Sequence, residues 1–291
     1  MTGILWGLLG ATFIGVSDCV ARVTAQRVSM TVLFAAVMGL SSLALTGLLL
    51  VTGDWPRWHA YGWFASAVSG LLNLGALYFL YKALARGPVS VASPAASSFS
   101  VILVALNALS GQPFHWQQGA AIGLVFVGVA MLSRRGGSGE TYDEAHLRVT
   151  ALYGLAAAVI IALRMFLAQE AGTALGAMQA LYLNRLFALA GVGVLFIGES
   201  MNGVVQRWPD RSMIWLVLLQ AMLETLALAS FLVGSAGDGR VGASIGFATF
   251  SAITALTAWL WLGEPIGWRR TFWMAVIGFA IVVAMSIGPS G

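Results

Sequence analysis

The chain has 291 residues, of which 59% are apolar and only 9% charged, against about 25% charged in an ordinary soluble domain. Its mean hydropathy is +0.88, and that balance excludes a water-soluble fold. The net charge of +4 is spread through short loops and forms no basic stripe interleaved with aromatics, which excludes nucleic-acid binding.

Apolar runs separated by turn residues predict ten transmembrane helices, at 3–23, 30–52, 60–83, 90–110, 117–133, 149–171, 176–198, 212–235, 240–262 and 269–287. Backbone groups in hydrocarbon must bond to one another, so runs this long and uniformly apolar are helices. Barrel strands would be shorter and alternating. The opening Met1-Thr2-Gly3-Ile4-Leu5-Trp6 has no basic residue and so lacks the charged start of a secretory signal, and the first helix is expected to remain in the mature protein. The only cysteine, Cys19, lies inside the first run, which leaves no disulfide framework and no metal-type spacing.

Basic residues mark the cytoplasmic face. The loops after spans 1, 3, 5, 7 and 9 hold Arg22, Arg27, Lys82, Arg86, Arg134, Arg135, Arg148, Arg207, Arg211, Arg269 and Arg270, whereas the alternate loops hold Arg57 and Arg240. Both termini are therefore expected on the outer side. Nine tryptophans (Trp6, Trp55, Trp58, Trp63, Trp116, Trp208, Trp215, Trp268 and Trp273) fall near span ends, where an aromatic belt anchors helices to the interface.

Five spans per half imply that a second copy of the unit enters the membrane inverted. Such a copy is visible. Gly111-Gln112-Pro113-Phe114-His115-Trp116 opens span 5 and Gly263-Glu264-Pro265-Ile266-Gly267-Trp268 opens span 10, with Val89 and Val241 at the same offset. Leu5-Trp6-Gly7-Leu8 and Leu152-Tyr153-Gly154-Leu155 echo each other at the starts of spans 1 and 6. The fold class expected is an all-α membrane protein of two inverted five-helix repeats around a central cavity, 1–135 and 149–291, joined by a glycine-rich polar linker over 136–148.

The sequence offers no phosphate loop and no nucleophile elbow, and the three histidines, His59, His115 and His146, fall in loops, so no enzyme, metal centre or cofactor is expected. Polar residues inside spans are costly and face a cavity or a partner. Asn73 in span 3 and Glu224 in span 8 stand 151 residues apart, at corresponding depths of the two halves, and Gln220 precedes Glu224 by one turn. Asp18, Arg164 and Arg185 are the other deep charges, and Ser17 and Arg164 occupy matching repeat positions. Two readings stay open. Either Glu224 and Asp18 form structural ion pairs with Arg164 and Arg185, or one arginine holds a substrate carboxylate while one acid holds an ammonium. Asp18 or Glu224 is also a candidate proton carrier.

Span 4 carries Ser93-Pro94-Ala95-Ala96-Ser97-Ser98, interrupted by proline, and span 9 carries Ser244-Ile245-Gly246-Phe247-Ala248-Thr249-Phe250-Ser251, interrupted by glycine. Matching broken segments point to a transporter site, which makes Ser97, Ser98 and Ser251 candidates for substrate contact. Tyr78, Tyr81, Phe247 and Phe250 are candidates for the walls of an apolar pocket.

With Gly111-Gln112-Pro113, Gly263-Glu264-Pro265 followed by Trp268, the Tyr78-Phe79-Leu80-Tyr81-Lys82-Ala83-Leu84 stretch and Pro94, the chain resembles the drug/metabolite transporter superfamily in its ten-span EamA-type branch, most closely the YddG-type bacterial amino-acid exporters. It departs from the pattern with Gln112 in place of the glutamate seen at Glu264, and with Gly246 where the first repeat has Pro94. The resemblance implies an inner-membrane secondary transporter that exports aromatic or other neutral amino acids by alternating access, monomeric, with a dimer left open, and with both termini periplasmic. The alternatives are export of sugars, nucleotide-type metabolites or amphipathic drugs, and, in a different class, a non-transporting scaffold or receptor. The partners implied are a small-molecule substrate and the lipid bilayer.

Overall fold

The computed structural model describes residues 2–109, 116–132, 142–236, 243, 246–247, 249–263 and 267–286. Its described elements are all helical: α1 (Thr2–Arg27), α2 (Met30–Thr52), α3 (Ala60–Arg86), α4 (Val89–Ser97), α5 (Phe99–Leu109), α6 (Trp116–Leu132), α7 (Glu144–Leu175), α8 (Ala177–Met201), α9 (Arg211–Gly234), α10 (Phe250–Leu262) and α11 (Trp268–Ser286). Six of them, α1, α2, α3, α7, α8 and α9, are long and apolar enough to cross a membrane, and the others are shorter apolar helices. The Gln112-Pro113 and Glu264-Pro265 motifs and most of the linker lie outside the described residues, as do Ser244, Ile245 and Ala248 of span 9.

Local sequence sets the helix limits. The His59 ring accepts from the Gly62 N–H at 3.1 Å to start α3. Asp143 accepts from the His146 N–H at 2.8 Å to start α7, and Asp210 accepts from the Met213 N–H at 2.9 Å to start α9. Each satisfies an orphan donor of the first turn. The Ser212 hydroxyl, with the Met213 N–H, holds the exposed Asp210 carboxyl below the usual carboxylate range. That cap is present at neutral pH and is lost only as pH falls through the lowered value. Gly53 and Gly263 end α2 and α10 in the left-handed conformation.

Two spans depart from the sequence reading. Span 4 is two helices, because Pro94 has no N–H for the Ser90 carbonyl and the chain turns at Ser98 before α5 begins. Span 6 is longer at both ends: the Asp143 cap lies upstream of the apolar run, and the helix continues until Gly176 turns it at φ 96°.

Helices α3 and α7 lie along each other, as do α1 and α9 and, at one side, α6 and α11; α2 packs on both α8 and α9. Leu33, Val37, Met38, Leu77, Ala162 and Ala221 fill the interior, while Leu50, Val51, Phe64, Val194, Trp215 and Leu260 project outward. An outer surface of large apolar side chains is what lipid selects and water penalises. At one end, the Arg22 guanidinium donates to the carbonyls of Leu84 (2.6 Å) and Ala85, Thr150 donates to the Gly87 carbonyl at 3.0 Å, and the Arg207 N–H donates to Ser29 at 2.7 Å. The loops rich in basic residues thus meet there. At the opposite end Gln179 donates to the Asp54 carboxylate at 2.6 Å.

Glycine permits the closest of these crossings. A Cβ on Gly70 of α3 would meet the Asn184 carbonyl of α8, whereas one on Gly47 of α2 would meet nothing. Gly70→Leu is therefore expected to cost about 1–3 kcal/mol by overpacking and to lower the thermal midpoint in detergent by several degrees. Gly47→Leu should leave it unchanged or raise it, and equal melting of the two variants would contradict the packing described.

Candidate functional site

A cavity lies at mid-helix among α1, α3, α4, α5, α7, α8 and α9. Its walls include Ile14 and Asp18 of α1, Leu77 and Leu80 of α3, Ala96 and Phe99 around the α4–α5 break, Arg164 and Met165 of α7, Arg185 of α8, Glu224 and Leu228 of α9, and Phe247 and Phe250. Four ionisable side chains of opposite sign, Asp18, Glu224, Arg164 and Arg185, thus share one apolar chamber. Asp18, Glu224 and Arg185 are at most 4% exposed and Arg164 is 9% exposed.

One ion pair is formed. Arg185 Nη1 lies 3.3 Å from Glu224 Oε1 and 3.2 Å from the Met38 sulfur. The other carboxylate oxygen, Oε2, accepts from the Tyr81 hydroxyl at 3.2 Å; that hydroxyl accepts from Gln220 Nε2 at 2.5 Å, and Gln220 Oε1 accepts from the Thr24 hydroxyl at 2.7 Å. Every donor in this series points toward Glu224, which fits an ionised carboxylate. Helices α1, α2, α3, α8 and α9 are joined through it.

The other two charges are not so matched. Asp18 Oδ2 accepts from the Thr254 hydroxyl at 3.4 Å, and Arg164 Nε and Nη1 have no hydrogen-bond partner among the described residues. No ion pair joins Asp18 to Arg164 there. Of the two pairings the sequence leaves open, the structure contains Arg185 with Glu224 and leaves Arg164 facing the cavity.

Of the other candidates Phe247 and Phe250 also line the chamber, and the rest lie behind or away from it. Asn73 is fully buried, with Nδ2 3.5 Å from the Met38 sulfur. Ser97 and Ser98 are turned back onto the Pro94 carbonyl at 2.8 and 3.4 Å, answering the proline break, and Ser251 is buried outside the cavity lining. Tyr81 and Gln220 support Glu224 from behind. Tyr78 is 38% exposed on the outer side of α3, with the Lys82 ammonium 4.8 Å from its ring, and it lines no part of the chamber. The sequence reading passes over Thr24, Met38, Phe99 and Thr254. Phe99 and Met38 could have been found from the repeat: Phe99 stands 151 residues before Phe250, the interval that relates Asn73 to Glu224, and Met38 stands 147 before Arg185, the interval that relates Ser17 to Arg164. Thr24 and Thr254 carry no such signal.

A buried ion pair holds the fold when both charges are present and penalises it when one is alone. Arg185→Gln and Glu224→Gln are each expected to lose about 3–5 kcal/mol. The double replacement Arg185→Met with Glu224→Met should recover most of that loss in thermal melts of the purified protein. Two single variants that melt like wild type would show that the pair carries no such constraint.

Residues 1–134 match the model of the EamA-like transporter family. Comparison with curated proteins yields no match. A solved crystal structure that is 16% identical covers 98% of this chain and 97% of its own, with a TM-score of 0.68, which establishes a shared fold over nearly the whole length. With its membrane-length apolar helices, the chain is a multi-pass membrane protein whose residues 1–134 are similar to the EamA-like transporter family.

Proposed function

We propose that this protein is a secondary transporter that exports amino acids, aromatic or other neutral ones, across a bacterial inner membrane by alternating access between two inverted five-helix halves, 1–135 and 149–291. The observation that carries the reading is the chamber itself, a mid-helix cavity with apolar walls and two acids balanced by two arginines. A zwitterion with an apolar side chain is complementary to such a space in charge and in surface. No covalent chemistry is needed. Each conformation binds substrate, and the concentration gradient or a coupled ion sets the direction.

The packing supports two halves related by a two-fold exchange. Next to Gly7 lie the Ala243 carbonyl and the Phe247 N–H; next to Gly154 lie the Ala92 carbonyl and the Ala96 N–H. Both pairs stand 151 residues apart in the sequence, so each half presents its first-helix glycine to the same two backbone groups of the other half's broken segment. The rings of Phe99 and Phe250 face each other at 6.1 Å. The contact of Asn73 with Met38 corresponds to that of Glu224 with Arg185. Ten spans, with both termini on the periplasmic side and the basic loops in the cytoplasm, complete this reading, and the convergence of Arg22, Arg207 and their partners at one end of the bundle supports it.

Counterflow of a panel of labelled amino acids into proteoliposomes preloaded with the unlabelled compound tests the function. Saturable uptake is expected for neutral amino acids with apolar side chains. An absence of amino-acid uptake from folded, reconstituted protein that still moves a sugar or an amphipathic dye would overturn the substrate class while leaving transport standing.

A further inference from the structure

The four charges of the chamber are not equivalent. Glu224 has Arg185 at 3.3 Å and Tyr81 at 3.2 Å, and Tyr81 is itself held by Gln220. Its charge is matched inside the protein by Arg185, whose Nε and Nη2 have no hydrogen-bond partner among the described residues, so what sets Arg164 apart is that no described acid pairs with it. Among the described residues Asp18 has one long contact, with Thr254, and Arg164 is 9% exposed with two nitrogens that bond to nothing described. A buried guanidinium with unmade hydrogen bonds is costly unless something enters to make them. Both side chains face the same cavity, and they come from different walls: α1 packs on α9 and α10, and α7 packs on α3, α4 and α5.

We infer that Arg164 and Asp18 are the two poles of the ligand site, Arg164 receiving a substrate carboxylate and Asp18 a substrate ammonium, whereas Arg185 and Glu224, whose charges already meet at 3.3 Å, line the same cavity as a paired couple. This assignment rests on the amino-acid reading above and divides the charged residues into two classes with different tests. Arg164 offers unbonded donors at Nε and Nη1, and a carboxylate is the partner that a buried guanidinium binds by charge-assisted hydrogen bonds. Asp18, on the far wall, offers an acceptor to a group with N–H donors. In the same lining Phe99, Phe247 and Phe250 pack against one another and offer an apolar surface for the rest of the molecule.

The test sets ligand changes against side-chain changes. The neutral amino acid that gives the largest counterflow flux is competed with itself, with its N-acetyl derivative, which has no ammonium, and with its amide, which has no carboxylate. Wild type should prefer the free amino acid over each derivative by about tenfold or more, the loss expected when a charge-assisted contact is unmade. In Arg164→Gln the preference over the amide should collapse while the preference over the N-acetyl form remains. In Asp18→Asn the reverse should hold. Thermal melts identify any variant that does not fold, and Asp18→Asn, nearly isosteric, carries the test alone if Arg164→Gln fails. Uptake by wild type with both preferences unchanged in the variants overturns this assignment and leaves amino-acid transport intact. A wild-type protein that takes up no amino acid overturns the underlying reading and this assignment with it.

Discussion

The constraint on which the interior is built is the burial of one full ion pair, Arg185 with Glu224, in the middle of a helical bundle. Removing two charges from water costs several kcal/mol per ion, and their mutual attraction offsets this only when the remaining polar sites are also occupied. Five helices contribute to this, occupying both carboxylate oxygens and Arg185 Nη1. Arg185 comes from α8, Glu224 and Gln220 from α9, Tyr81 from α3, Thr24 from α1 and the Met38 sulfur from α2. The pair therefore fixes the relative depth of those helices, because a shift of one turn in any of them would strand a donor or acceptor in an apolar interior.

Such a network can form only if the helices approach closely, and lipid provides no hydrophobic force to press them together. Small residues do that work. Gly70 sits against the backbone of α8, Gly10 against the Ala227 carbonyl of α9, and Gly154 against α4. Around the cavity, Phe99, Phe247 and Phe250 from the α4–α5 break and the approach to α10 stand beside Leu77, Leu80 and Met165 from continuous helices. The chamber is thus defined by what the helices cannot fill: tight contacts on the flanks, broken segments at the centre.

Much of this was legible in the sequence because membrane folding reads simple quantities. Span length and charge-free runs identified the long helices, and the cost of intramembrane charge singled out Asp18, Arg164, Arg185 and Glu224, all four of which line the cavity. Pairing was not legible. Which acid meets which arginine depends on side-chain reach across helices whose rotation no periodicity fixes, so Arg164 and Arg185 were interchangeable on paper. Tyr78 illustrates the same limit, since an aromatic three residues from Tyr81 was assigned the same pocket, yet it faces outward with Lys82. Serines beside a proline gave a false polar signal for a similar reason: Ser97 and Ser98 spend their hydroxyls on the Pro94 carbonyl.

A chamber between two copies of one unit would, if the copies were identical, present the same groups to both ends of a ligand. A zwitterion cannot be held that way, since its two ends carry opposite charge. In the two-repeat reading, the positions around the axis have diverged in the direction such a ligand requires. Asn73 stands opposite Glu224, Met38 opposite Arg185 and Ser17 opposite Arg164, so the second half carries the charges of three positions at which the first half is neutral. Asp18, with Met165 as its counterpart in the second half, is the one acid that the first half contributes. Because Glu224 and Arg185 neutralise each other within the second half, the divergence that remains is a cation on α7 and an anion on α1. In the proposed alternating-access cycle, that polarity lies along the line from one half to the other, the direction that rocking of the halves would lengthen or shorten, so a ligand spanning Asp18 and Arg164 is the kind of cargo whose binding energy would depend on how far the two halves had closed.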